Sequence, residues 1–263
     1  MKKEIIFALY SIKKNIISSA ELRVSFLLNI VGMVINNMSF VIIWGFLINT
    51  VGNIGGWDFA SVLGLQGFTA IAFGVLFGFC FGIVNMPKLI QNGSFDQFLL
   101  SPKNVLVRVA TSSFNPSALG DIVFGIMCFI TYGYIAQITL LQSVLLIVLS
   151  FFAVLVFSGI MIITHSLSFY FSESDSVVRG IFDFFFTPAL FHGGAFQGKL
   201  RFFFTFIVPS LVVGTLPIEA VVGLSTKTML LAVVISSFWF LLSIWFFNRS
   251  VKRYESANFI TFN

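Results

Sequence analysis

The 263-residue sequence is short of charge, cysteine and histidine, and each shortage excludes something. Charged residues make up 10% of it, against roughly 25% in an average soluble domain, so polar surface is too scarce to cover a soluble globule. With 58% hydrophobic residues and a mean hydropathy of +1.01, the chain reads as an integral membrane protein. Cys80 and Cys128 both lie in apolar segments and read as packing groups rather than a disulfide or metal pair. No HExxH or CxxC motif occurs, and there is no Walker motif: Gly198-Lys199 is followed by Leu200 where Ser or Thr is required. An ion-coupled carrier usually shows intramembrane ionisable groups with partners. The candidates here, Asp121 and Asp183, sit near expected segment ends. No catalytic, cofactor or metal site is therefore expected on this chain, and the energy for transport is expected from another polypeptide. A cleavable signal peptide is not expected, because Lys13, Lys14 and Arg23 interrupt the first 23 residues. The net charge of +5 is spread over separate short loops, which suits membrane topology rather than nucleic-acid binding.

What is abundant is phenylalanine, with 36 residues, expected to cover a lipid-facing surface. Residues 2–23 read as a helix lying on the membrane. Ile5, Leu9, Ile12 and Ile16 share one face, Glu4, Lys14, Asn15 and Ser18 lie opposite, and Lys3 and Lys13 sit at the boundary. Spans are expected at 24–47, 62–84, 119–135, 143–168 and 229–247, each able to cross an apolar layer of roughly 30 Å at about 1.5 Å per residue. Asn29, Asn36 and Asn37 interrupt the first span and should face other helices or a translocation surface. Trp44 suits the aromatic belt at its far end, and 49–58 is a Gly-rich turn. In the second span Gly74, Gly78 and Gly82 recur every fourth residue, a flat strip that lets a neighbouring backbone approach. Pro87 is expected to end that helix. Asp121 is expected to be solvated or hydrogen-bonded at the interface, and His165, with no second ligand nearby, to be packed.

Two segments compete for a further crossing. The stretch 177–196 contains Arg179, Asp183, Pro188 and Gly193-Gly194, whereas 202–218 is broken by Pro209, Gly214 and Pro217. With the first as the crossing, twelve of the fifteen Lys and Arg residues fall on the side of both termini; with the second, fourteen do. The positive-inside rule leans to the second, and either choice gives six crossings with cytoplasmic termini.

The longest polar break, 91–104, is flanked by Lys88 and Arg108 and contains Lys103. Within it Ser94 is a candidate N-cap, Asp96 suits a helix N-terminus, and Phe95, Phe98 and Leu99 share a face before Pro102 stops the helix. The stretch reads either as a surface on which a partner can push or as an ordinary membrane-surface loop.

In this order and spacing the residues resemble the permease subunits of ABC-2-type ABC transporters. The likeness rests on Arg23 before the first span, the aliphatic-Trp44 end of that span, and Gly93-Ser94-Phe95-Asp96-Gln97-Phe98-Leu99-Leu100-Ser101-Pro102, which is similar to a Gly-x-x-Asp-x-x-Leu-Leu-x-Pro loop. Ser166-Leu167-Ser168-Phe169-Tyr170-Phe171 closes the fourth span and Thr205-Phe206-Ile207-Val208-Pro209 precedes the last. The resemblance implies a single all-α transmembrane domain: six transmembrane helices, an N-terminal interfacial helix, a cytoplasmic coupling helix, and an external re-entrant hairpin at 202–218. It places the fifth span at 177–190, on which Arg179 and Asp183 could pair at i, i+4. Gly93, Phe95, Asp96, Phe98, Leu99, Leu100 and Pro102 would couple this chain to two cytoplasmic ATPase subunits, which hold ATP and Mg, beneath a dimer of identical or related permeases. Export of a lipid, glycan, peptide or drug-like solute across a prokaryotic inner membrane follows, with no nucleic acid involved. His192-Gly193-Gly194 departs from the pattern as an unusually flexible turn. The rival readings are an ion-coupled secondary transporter and a non-transporting assembly or sensor protein.

Overall fold

Long apolar runs leave the backbone few ways to satisfy its hydrogen bonds inside lipid, and the α-helix is the local one. The computed structural model describes residues 2–52, 56–171 and 175–254. Its α-helices, in chain order, are α1 (Lys2–Ala20), α2 (Arg23–Val51), α3 (Phe59–Phe79), α4 (Met86–Gln91), α5 (Asp96–Leu99) and α6 (Val105–Ala110). They continue as α7 (Ala118–Ala136), α8 (Leu140–Ser166), α9 (Asp175–Phe186), α10 (Gly198–Phe202), α11 (Thr215–Gly223) and α12 (Thr226–Val251). Among the described residues five helices, α2, α3, α7, α8 and α12, are long and apolar enough to cross a membrane.

Local chemistry sets their starts. Asp58, at the end of the expected turn, caps α3 by accepting from the Ser61 N–H at 2.9 Å. Thr139 and Gln142 form a reciprocal capping box on α8. The second span ends earlier than expected, at Phe79, with Cys80 as its C-cap. Pro87 does not end it but sits in the first turn of α4, where a missing N–H costs nothing.

The bundle is assembled around α3, which lies along α7 and also meets α2, α8 and α11. A Cβ on Gly74 would fall 2.8 Å from the Ala118 carbonyl oxygen and 2.9 Å from the Ile122 nitrogen, so the α3 and α7 backbones touch there. Gly78 faces Ala118 as well, but Gly82 lies beyond the end of α3 and abuts the Val109 carbonyl of α6. Phenylalanine, expected on the lipid face, also builds this core: Phe73 and Phe77 stack at 3.9 Å. Phe157, Phe182 and Phe186 cluster beside them with centroids 5.3–6.1 Å apart. His165 packs edge-on against Phe182.

The chain from α9 onward follows α3 from one end to the other. Phe182 meets Phe77 at 5.9 Å, Phe186 meets Phe73 at 5.1 Å, the Leu190 carbonyl accepts from Gln66, and His192 faces Trp57 at 5.9 Å. This path uses a 12-residue α-helix and a 3-10 turn, Thr187–Leu190, rather than a continuous long helix. The following segment dips back. After α10 comes a π-turn, Phe203–Ile207, then a buried 3-10 turn, Pro209–Val212, then α11. Gly214 lies against Leu65 and Thr69, residues that sit roughly 10–15 Å into α3 at its rise per residue.

Three residues are more enclosed than their sequence context suggests. Asp121 takes the hydrogen-bonded rather than the solvated of its two expected states: it is 4% exposed, and Asn37 of α2 donates to its Oδ1 at 2.6 Å. Trp44 is not on an open belt but buried edge-on to His192 at 5.3 Å. Gly193 serves close approach rather than flexibility, since a Cβ there would stand 2.9 Å from Glu219 Oε1 and 3.3 Å from Trp57.

Candidate functional site

The polar break between α3 and α7 folds into a compact projection carrying α4, α5 and α6. Its sharpest bend is at Gly93, whose φ of 71° favours glycine. The Asn92 side chain tightens the bend by accepting from the Ser94 N–H at 3.1 Å. Ser94 therefore is not the N-cap expected from sequence; the cap position of α5 is Phe95, with no side-chain cap bond.

The seven residues singled out here separate into a root and a tip. Phe95 is fully buried and Phe98 is 7% exposed, whereas Leu99 is 42% and Leu100 86% exposed. Phe95 sits 5.1 Å from both Phe169, in the turn after α8, and Tyr254, beyond α12. Its N–H donates to the Leu89 carbonyl at 2.9 Å. Arg108 holds the next turn: one guanidinium N–H donates to the Phe98 carbonyl at 2.6 Å, and the group stands over the Phe98 ring. Phe95 and Phe98 thus cannot contact a partner, a correction to the shared face expected for Phe95, Phe98 and Leu99. A four-residue helix is too short to hold one face, and distant aromatics claim the two rings. Gln97, Leu99, Leu100 and Pro102 form the exposed tip, with Asp96 half-buried in the first turn of α5.

The projection is also tied to α1. Lys103 places its ammonium 3.9 Å from the Phe7 ring centroid, a cation–π contact. Ser11 and Asn15 both donate to the Thr111 carbonyl, at 2.7 and 2.9 Å. Asn15 therefore faces protein, not water, while Ile5 and Leu9 of α1 remain exposed. Asn85 donates to Ser113 at 3.1 Å and closes the base. An apolar tip on a root locked to α1, the end of α8 and the end of α12 can pass a push to several helices at once.

Arg179 does not pair with Asp183. It donates to Asp175 at 3.2 Å, because helical side chains lean toward the N-terminal turn and Asp before Arg at i, i+4 is the better order. Gln66, Thr69, Asp121 and His192, buried polar groups in or beside the bundle, were not grouped from sequence; only their unusual polarity within apolar runs marks them.

A family model described as ABC-2 family transporter protein matches residues 33–258, which includes the whole projection. Comparison with curated proteins and with solved structures gave no match.

Proposed function

This chain belongs to the ABC-2 family of transporter proteins, and from that premise we propose that it is the permease subunit of an ATP-driven exporter whose tip at Leu99 and Leu100 docks on a cytoplasmic ATPase. The observation that carries the reading is the division of the projection into a buried root and an exposed apolar tip. Two ATPase subunits, holding ATP and Mg, would move two such tips as they close. The permeases would be two copies of this chain or this chain and a related one. The helix α2 supports this, because Trp44 is its only buried residue among those described, leaving an apolar face for a second permease. This chain itself would hydrolyse nothing.

The same projection supports a topology. α1, Lys88, Lys103, Arg108, the turn after α8 and Tyr254 gather at one end, linked through Phe7–Lys103 and Phe95–Phe169–Tyr254. Cations on that side support a cytoplasmic placement in a prokaryotic inner membrane. The segment from α9 to His192 then serves as a sixth crossing, α1 lies on the inner membrane surface, and the stretch from α10 to α11 is an external re-entrant hairpin. The cargo would be a lipid, glycan, peptide or drug-like solute passing where the permeases meet.

The test is the double variant Leu99→Asp, Leu100→Asp in the complex purified from the native membrane. It should insert normally and lose cargo-stimulated ATPase activity. Unchanged stimulation overturns the coupling role; transport by ATP-free vesicles under an ion gradient, or purification without any nucleotide-binding subunit, overturns the exporter reading.

A further inference from the structure

Between α2, α3, α7 and the 3-10 turn Thr187–Leu190 lies a cavity of about 440 Å³. Asp121 lines it, and its Oδ2 is buried without a hydrogen-bond partner among the described residues, while Oδ1 is held by Asn37. An isolated carboxylate oxygen within a bundle of apolar helices is costly, and such residues commonly mark a functional site.

Several of the remaining polar groups spend their protons inside the protein. Thr69 and Ser39 turn their hydroxyl protons back onto the carbonyls of Leu65 and Ile35, both at 3.1 Å, leaving oxygen lone pairs. Gln66 directs its Nε2 to the Leu190 carbonyl at 3.3 Å, and Asn37 spends its amide on Asp121. No Lys, Arg or His is among the lining residues. Asn36 adds a neutral amide at the lining, and the rest of the wall is apolar and rich in rings, with Phe40, Phe73, Phe124 and Phe186. Aromatic faces attract a desolvated cation, and a bare metal ion would instead call for a shell of oxygen ligands.

We propose that this cavity is a cargo subsite for an amphipathic organic amine, whose ammonium pairs with the Asp121 carboxylate in the wall while its apolar body packs against the rings. The assignment deepens the transport reading and rests on it: the cargo class becomes a lipophilic ammonium compound rather than any apolar solute. Asn37 is a positioning residue, holding the carboxylate in the cavity wall through Oδ1.

The probe is dansylcadaverine, a primary amine tethered to a fluorescent aromatic group, with its N-acetyl derivative as the uncharged control. Binding to the purified full-length chain in lipid nanodiscs is followed by fluorescence anisotropy. The wild type should bind the amine roughly tenfold to a hundredfold more tightly than the acetylated control, the worth of a charge-assisted hydrogen bond. Asp121→Asn should remove that difference and leave binding of the control unchanged. Equal binding of amine and control by the wild type overturns the proposal, and that comparison needs no variant to fold. So does an amine preference that survives in Asp121→Asn, or displacement of the amine by sodium alone. Because the assay contains no ATPase it reports on the subsite alone; amine binding here, with no amine-stimulated hydrolysis in the complex purified from the native membrane, would refute the transport reading and leave the subsite standing. Loss of coupling at Leu99 and Leu100 with no amine preference would do the reverse.

Discussion

Replacing Phe95 by Ala separates the root of the projection from its tip. The ring is fully buried between Phe169 and Tyr254, and emptying such a site costs about 3–5 kcal/mol. The loss falls on the projection, not on the five long helices, because none of Phe95's ring partners lies within those helices. Local opening should therefore become roughly a hundredfold or more easier, at about 1.4 kcal/mol per tenfold. The assay is amide hydrogen exchange on the purified protein, read on peptides covering 85–104. The Phe95 and Phe98 amides, which now donate to Leu89 and Phe95 carbonyls, should lose protection while peptides from α3 and α8 keep theirs. Leu100→Ala is the control: at 86% exposure it should change stability by no more than about 0.5 kcal/mol and leave exchange untouched. Exchange in Phe95→Ala that matches the wild type, or exchange in Leu100→Ala that rises as much, would refute the division into root and tip.

A further outcome concerns the helix contact at α3. Gly74→Ala forces a methyl to within 2.8–2.9 Å of the α7 backbone, whereas Gly78→Ala brings it only to 3.5 Å from a side-chain carbon. Thermal unfolding in detergent should show the first destabilised by about 1–3 kcal/mol and the second near neutral; equal effects would contradict the α3–α7 contact.

Much of this was legible because it is local. The four-residue glycine spacing, the long uncharged runs and the polar break at 91–104 each carry their own geometry. What was illegible depended on residues far apart in the chain. Nothing near Phe95 announces that Tyr254 and Phe169 will cover it, so three apolar residues at helical spacing looked like one docking face. Pro87 looked like a stop signal, but Cys80 had already ended the helix and proline is equally at home in a first turn. Asp121 could be read as solvated or hydrogen-bonded from its place near a segment end; only the neighbouring α2, which puts Asn37 on it, decides between the two. The stretch from α9 to His192 defeats a length rule, since its α-helix of 12 residues is finished by a 3-10 turn. Phe content suggested lipid contact because composition cannot tell an outward ring from one stacked on another helix.

Site-directed cross-linking tests the account's centre. In a chain with Cys80 and Cys128 replaced by Ala, a single cysteine at Leu100 should cross-link to an ATPase subunit in native membranes, and one at Phe95 should not. A cysteine at Leu100 that captures no nucleotide-hydrolysing neighbour, or one at Phe95 that does, contradicts the claim that this exposed tip receives the work of ATP hydrolysis.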